Sequence, residues 1–113
     1  MIRTTVVDAY GGSIRLTYVD GKIATLTILN DTLRDVYELE PYALQEFLEA
    51  FEFVRRNKKY SSWDGKVTIT PLPNGEHLLE GNACSVYLSD EMFDALIDNL
   101  NNIKFWYEFH EVI

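Results

Sequence analysis

Apolar and polar positions alternate along the first 39 residues, give way to a three-to-four-residue period, and then both rhythms recur. Thr4-Thr5-Val6-Val7 is β-branched and precedes Gly11-Gly12, which reads as a two-residue hairpin connection. Ile14, Leu16 and Tyr18 fall on one face of the next strand. Asp20-Gly21 offers the positive φ angles of a type I′ turn, and Ile23 to Leu29 returns. Asn30-Asp31 breaks that strand, and Leu33 to Leu39 forms a fourth. Glu40-Pro41 then opens a helix, because a first-turn proline lacks only an N–H that has no intrahelical partner. Leu44, Phe47, Leu48, Phe51 and Val54 make its apolar stripe. Acids at 46, 49 and 52 precede bases at 55, 56, 58 and 59, an order that suits the helix dipole.

The second round begins with a strand over Lys58 to Trp63, an Asp64-Gly65 type I′ turn and a return at Val67-Thr68-Ile69-Thr70. Pro73-Asn74-Gly75 marks a turn, His77-Leu78-Leu79 a short strand, and Gly81-Asn82 another hairpin. Ala83 to Leu88 leads to Ser89, an N-cap with Asp90 and Glu91 in the first turn. Met92, Phe93, Leu96, Ile97, Leu100 and Ile103 repeat the helical stripe. The two helices superpose at an offset of 49 residues, Leu39 on Leu88, Phe47 on Leu96 and Phe51 on Leu100. The pattern therefore predicts one α+β domain over residues 1–113, a duplicated ββββα unit with two antiparallel sheets packed against two amphipathic helices. The first repeat spans about residues 2–57 and the second about 58–103. Residues 104–113 break the pattern, because Phe105, Tyr107 and Phe109 alternate with Trp106, Glu108 and His110. They read as a C-terminal strand or tail that pairs with a sheet edge, crosses a subunit boundary, or docks onto replication proteins.

Charge adds a second layer. The 113 residues carry 10 Lys/Arg and 18 Asp/Glu, a net charge of −8. Residues 1–63 hold eight cations against nine acids, and residues 64–113 hold two against nine, so the halves balance at −1 and −7. One cysteine excludes an internal disulfide and any multi-cysteine metal site. No apolar run approaches the ~20 residues of a membrane span. Met1-Ile2-Arg3-Thr4-Thr5 lacks a signal-peptide core, so a cytoplasmic location is expected.

Catalytic signatures do not emerge. Gly11-Gly12-Ser13 joins two strands and is no phosphate loop. His77 and His110 stand apart from other ligands, and His77 is expected to be a hydrogen-bonded structural residue. Cys84 reads as a small buried hydrophobe, and the carboxylates at 90, 91, 94 and 98 as solvating charge on a helix. No enzyme, cofactor or metal site is expected.

The informative stretch is Lys58-Lys59-Tyr60-Ser61-Ser62-Trp63, preceded by Arg55-Arg56. Single-stranded nucleic acid is held by cations that track the backbone and aromatic faces that stack on bases. Arg15, Tyr18 and Lys22, around the first Asp-Gly turn, form a second set, and Lys66 follows the other Asp-Gly turn. The candidate nucleic-acid-binding residues are thus Arg15, Tyr18, Lys22, Lys58, Lys59, Tyr60, Trp63 and Lys66. An alternative assignment makes these cations a helix C-terminal cap and puts Tyr60 and Trp63 in the core.

Over residues 2–103 the order of elements resembles the Whirly topology of plant Whirly proteins, the related positive-cofactor transcription coactivators and small phage single-strand-binding proteins. The junctions Val36-Tyr37-Glu38-Leu39-Glu40-Pro41 and Val86-Tyr87-Leu88-Ser89-Asp90 are similar to the strand–Leu–Ser/Asn–Pro/acid–helix passage of that group. The resemblance implies a non-enzymatic single-stranded-DNA-binding protein, phage-encoded and active in replication or recombination. It also implies a homo-oligomer assembled through its helices. The charge suggests two alternatives, an acidic inhibitor or DNA mimic that blocks a host nucleic-acid enzyme, and a structural oligomerisation module without a ligand.

Overall fold

Alternation along the first half closes into a meander. The computed structural model describes residues 2–109. In it β1 (Ile2–Ala9), β2 (Gly12–Val19), β3 (Ala24–Leu29) and β4 (Arg34–Leu39) pair antiparallel in chain order. Ile14, Leu16 and Tyr18 share one face with Ala24, Leu26 and Ile28, and all six are buried. The opposite face carries Thr4, Val6, Arg15, Thr17, Thr25, Thr27 and Val36, and it looks outward.

Helix α1 (Pro41–Asn57) follows, with Pro41 in its first turn and Leu44, Phe47, Leu48, Phe51 and Val54 buried as one stripe. It ends where Lys58 enters the left-handed region (φ 55°) and donates its N–H to the Val54 carbonyl. A second meander comprises β5 (Ser61–Trp63), β6 (Val67–Pro71), β7 (His77–Glu80) and β8 (Ser85–Leu88). Helix α2 (Asp90–Phe109) closes the chain, with the Ser89 hydroxyl accepting from the Met92 N–H at 3.2 Å. Phe93, Leu96, Ile97, Leu100 and Ile103 complete the core. The architecture is α+β, two four-stranded antiparallel sheets and two helices.

Four expectations need correction. Residues 104–109 are the last turns of α2, not a strand or tail. Trp106 and Tyr107 continue the period set by Leu100 and Ile103, and burial of that face outweighs the local alternation. Residues 110–113 lie outside the described residues. The strand expected from Lys58 is confined to Ser61–Trp63, because the left-handed Lys58 ends α1 first. In the first hairpin the loop is Tyr10-Gly11, with Ala9 opposite Gly12, and only Gly11 has positive φ (86°). Asp64 (φ 51°) and Gly65 (φ 67°) do form the type I′ pair, whereas at Asp20-Gly21 only Gly21 takes positive φ.

The sheets are joined by polar groups from β4. The buried Asp35 carboxylate accepts N–H bonds from Ala83, at 2.8 and 3.0 Å, and from Cys84 at 2.9 Å. Beside it, the Tyr37 hydroxyl accepts from the Asn82 N–H at 3.1 Å and donates to the Lys66 carbonyl at 3.4 Å. Gly81 packs so closely here that a Cβ would lie 2.5 Å from Asp35 Oδ2 and 2.8 Å from the Tyr37 oxygen. Asp35→Ala is expected to strand two backbone donors and cost about 3 kcal/mol. Asp35→Asn, which keeps an acceptor, should cost less. Urea unfolding checks both, with a lower midpoint at unchanged slope as the expected outcome.

Candidate nucleic-acid interface

The sequence-derived residues separate into two groups. Tyr18 and Trp63 point inward, only 7% and 5% exposed, so neither ring is free to stack on a base. This corrects their expected contact with nucleic acid. Tyr18 packs on Trp106 from α2, with centroids 5.2 Å apart. Trp63 meets Phe47 and Tyr37 edge-on, at 5.2 and 5.8 Å. The reason is register, since Tyr18 shares the face of Ile14 and Leu16, and Trp63 pairs with the buried Val67.

The remaining candidates stay at the surface. Arg15 lies on the outer face of the first sheet, between Val6 on β1 and Thr27 on β3. Lys22 sits in the β2–β3 turn, its N–H bonded to the Val19 carbonyl. Lys58, Lys59 and Tyr60 are exposed in the passage from α1 to β5. Lys66 closes the β5–β6 turn, 3.4 Å from Asp64 and 5.2 Å from the centroid of the Trp63 ring. The structure thus gathers Lys58, Lys59 and Tyr60 at one end of β5 and Lys66 at the other, while Arg15 and Lys22 belong to the first sheet.

Two aromatic residues escaped the sequence reading. Tyr10, in the first hairpin loop, exchanges both main-chain bonds with Tyr87 of β8, N–H to carbonyl at 2.8 and 3.0 Å. Tyr87 lies opposite Leu78, and Leu78 opposite Thr70. One row therefore crosses the outer face of the second sheet, Thr70–Leu78–Tyr87–Tyr10, with Tyr60 just before the start of β5 at its far end. The tyrosines at 10, 60 and 87 are all exposed. Alternation in Val86-Tyr87-Leu88, which buries the flanking apolar pair, is the signal that Tyr87 points out. Nothing local marks Tyr10, because its partner is 77 residues away.

Charge sorts by element as well as by half, though less sharply. Helices α1 and α2 hold eight carboxylates and three cations, a balance of −5, whereas seven of the ten cations lie on strands and loops. The outer faces of the sheets are rich in Thr, Ser, Val and Tyr, with Asp8, Glu38 and Glu80 as their acids.

Other titratable groups are structural. Cys84 is buried, its Sγ donates to the Ile28 carbonyl at 3.1 Å, and burial pushes the thiol pKa up. His77 is buried and stacks flat on Phe93 at 3.9 Å. Among the described residues its Nδ1 has no hydrogen-bond partner and lies 3.7 Å from Asp90 Oδ1. Burial lowers its pKa and Lys58 adds to that, against opposing pulls from Asp90 and Asp94. Among the described residues no three His, Cys, Asp or Glu side chains gather as a metal site, and no helix is long and apolar enough to cross a membrane.

No protein-family model, curated protein or solved structure matches the chain.

Because folding lowers the His77 pKa, the unfolded chain binds the proton more readily. This contribution should leave the fold unaffected above the unfolded value of about 6.5 and destabilise it increasingly as pH falls below that. Denaturation midpoints between pH 7.5 and 5 check this, and His77→Phe should flatten the histidine-dependent part of the slope.

Proposed function

We propose that the chain is a non-enzymatic single-stranded-DNA-binding protein with a Whirly-type duplicated ββββα fold, acting in replication or recombination. The observation that carries the reading is the outward row of exposed Tyr10 and Tyr87 with half-buried Leu78 and Thr70, and with Tyr60 and Lys59 at its β5 end. Tyrosine faces on a sheet give bases a stacking surface, each worth about 1–3 kcal/mol, without demanding a particular sequence. Lys58, Lys59, Lys66 and Arg15 offer cations to the backbone. Helices α1 and α2 carry −5 of the net charge of −8 and the strands and loops −3, so the sheets are the less repulsive side. Screening over about 8 Å at physiological ionic strength lets nearby cations outweigh more distant acids.

Fluorescence anisotropy with labelled oligothymidine across a salt series tests the proposal. Binding should be sequence-tolerant and weaken with salt. Tyr87→Ala and Tyr10→Ala should each weaken it by about 1–3 kcal/mol, because only the side chain is lost and the main-chain bridge stays. Lys59→Ala should weaken binding to all sequences and reduce the salt slope by about 0.7. Absence of binding at low salt overturns the proposal. In that event the eight carboxylates of the helices become the surface to examine, as a protein-directed inhibitor that competes for a nucleic-acid site.

A further inference from the structure

Strand β1 is the longest sheet edge in the molecule, and no strand covers its outer side between Ile2 and Val7 among the described residues. The orientation of its free backbone groups follows from Tyr10. That residue directs its N–H and C=O to β8, away from β2. Alternation along an antiparallel strand turns the N–H and C=O of Asp8, Val6, Thr4 and Ile2 the same way. The edge that holds β8 at Tyr10 is therefore an open row of donors and acceptors at Ile2, Thr4 and Val6.

Edge strands are ordinarily blunted by charged side chains, above all lysine, by proline, by a bulge or by a short length. Of these β1 has only Arg3 and Asp8, near its two ends. Here β1 pairs with β2 over eight uninterrupted residues, and its sequence, Ile-Arg-Thr-Thr-Val-Val-Asp-Ala, contains no lysine, proline or glycine. Its outer face leaves Ile2 71% and Val6 52% exposed. Such an edge is built to accept another strand.

We propose that a second copy of this chain pairs β1 to β1, antiparallel, about a two-fold axis at Thr4, joining the two first sheets into one continuous sheet of eight strands. Two constraints select this partner and this register. A two-fold axis between antiparallel strands must place outward residues opposite outward residues, so only pairings centred on a residue are available. Centred on Thr4, Ile2 faces Val6 of the copy, Thr4 faces Thr4, and Arg3 faces Thr5. Both exposed apolar residues then cover each other twice, in the β-branched pairs that stabilise sheets. Centred on Thr5, Ile2 would face the Asp8 carboxylate. Centred on Val6, Ile2 would face Tyr10, whose N–H and C=O are already held by β8. The strand is thus self-complementary in one register, and that register uses the stretch left open. Helix-mediated assembly makes no use of this edge. The inference is independent of nucleic-acid binding and is tested without DNA.

Native mass spectrometry and light scattering on the purified chain should give twice the 13.1 kDa chain mass, or an even multiple of it. Thr4→Pro removes an N–H that points away from β2, so the β2 ladder survives while the interface loses a central bond. Val6→Lys places an ammonium opposite Ile2 of the copy. Each should halve the assembly mass with an unchanged circular dichroism spectrum. In the native chain, amide exchange at Thr4 and Val6 should slow with increasing protein concentration, while that of exposed loop amides stays constant. A monomeric native chain at 50–100 μM, or an assembly that persists in both folded variants, overturns the proposal, the latter placing the interface on the helices or elsewhere.

Discussion

A single buried carboxylate holds the two sheets in register with each other. Asp35 projects inward from β4, where a charged group would ordinarily be costly, and receives the N–H groups of Ala83 and Cys84. Those donors belong to the β7–β8 turn, and their own sheet leaves them without carbonyl partners. The arrangement satisfies an anion and a turn at once, and among the described residues no cation pairs with the carboxylate. Tyr37, two residues on, extends the same contact to Asn82 and the Lys66 carbonyl. Cys84 adds a bond to the Ile28 carbonyl on β3. The position of β8 fixes Tyr87, and through it the bridge to Tyr10, so the outward tyrosine row depends on an inward aspartate.

The division of charge follows from the layering. Each helix buries one apolar stripe and must solvate the rest, and in this chain that solvation is mostly acidic. The outer faces of the sheets are solvated by threonine, serine and tyrosine, whose hydroxyls suit a pleated surface and carry no charge. A net charge that looks unsuited to a polyanion is therefore concentrated on the helices. Arg55 shows the contrast, since this helical cation is held by Glu52 at 3.1 Å and Asp94 at 3.4 Å. Among the described residues Arg15, Lys58 and Lys59 make no such ion pair.

Much of this architecture is legible in the sequence because strands and helices announce themselves by period. Ile14, Leu16 and Tyr18 alternate, Leu44 to Val54 step by three and four, and the structure places both sets in the core. The same alternation already assigned Tyr18 to the apolar face, and the tight turn after Trp63 aligned it with Val67. Their burial could have been inferred. At the C-terminus two periods compete over six residues, and only packing against Tyr18 and β3 decides for the helix. Asp35 and Tyr10 were out of reach for a different reason, because each acts through a partner in the other half of the chain. Pattern reports what a residue does within its own element, and these residues join elements.

Tyr107 shows what such joining demands. Its hydroxyl stands at the end of the β3–β4 ladder, receiving the Ala24 N–H at 2.7 Å and donating to the Leu39 carbonyl. A side chain from the last turns of the second helix is thus the final rung of the first sheet. On a ribosome, the opening meander would emerge complete in length yet lacking its closing rung and the turn that satisfies Asp35. Those parts arrive only with the last third of the chain. Two halves alike in element order therefore complete each other, each supplying hydrogen-bond partners that the other lacks.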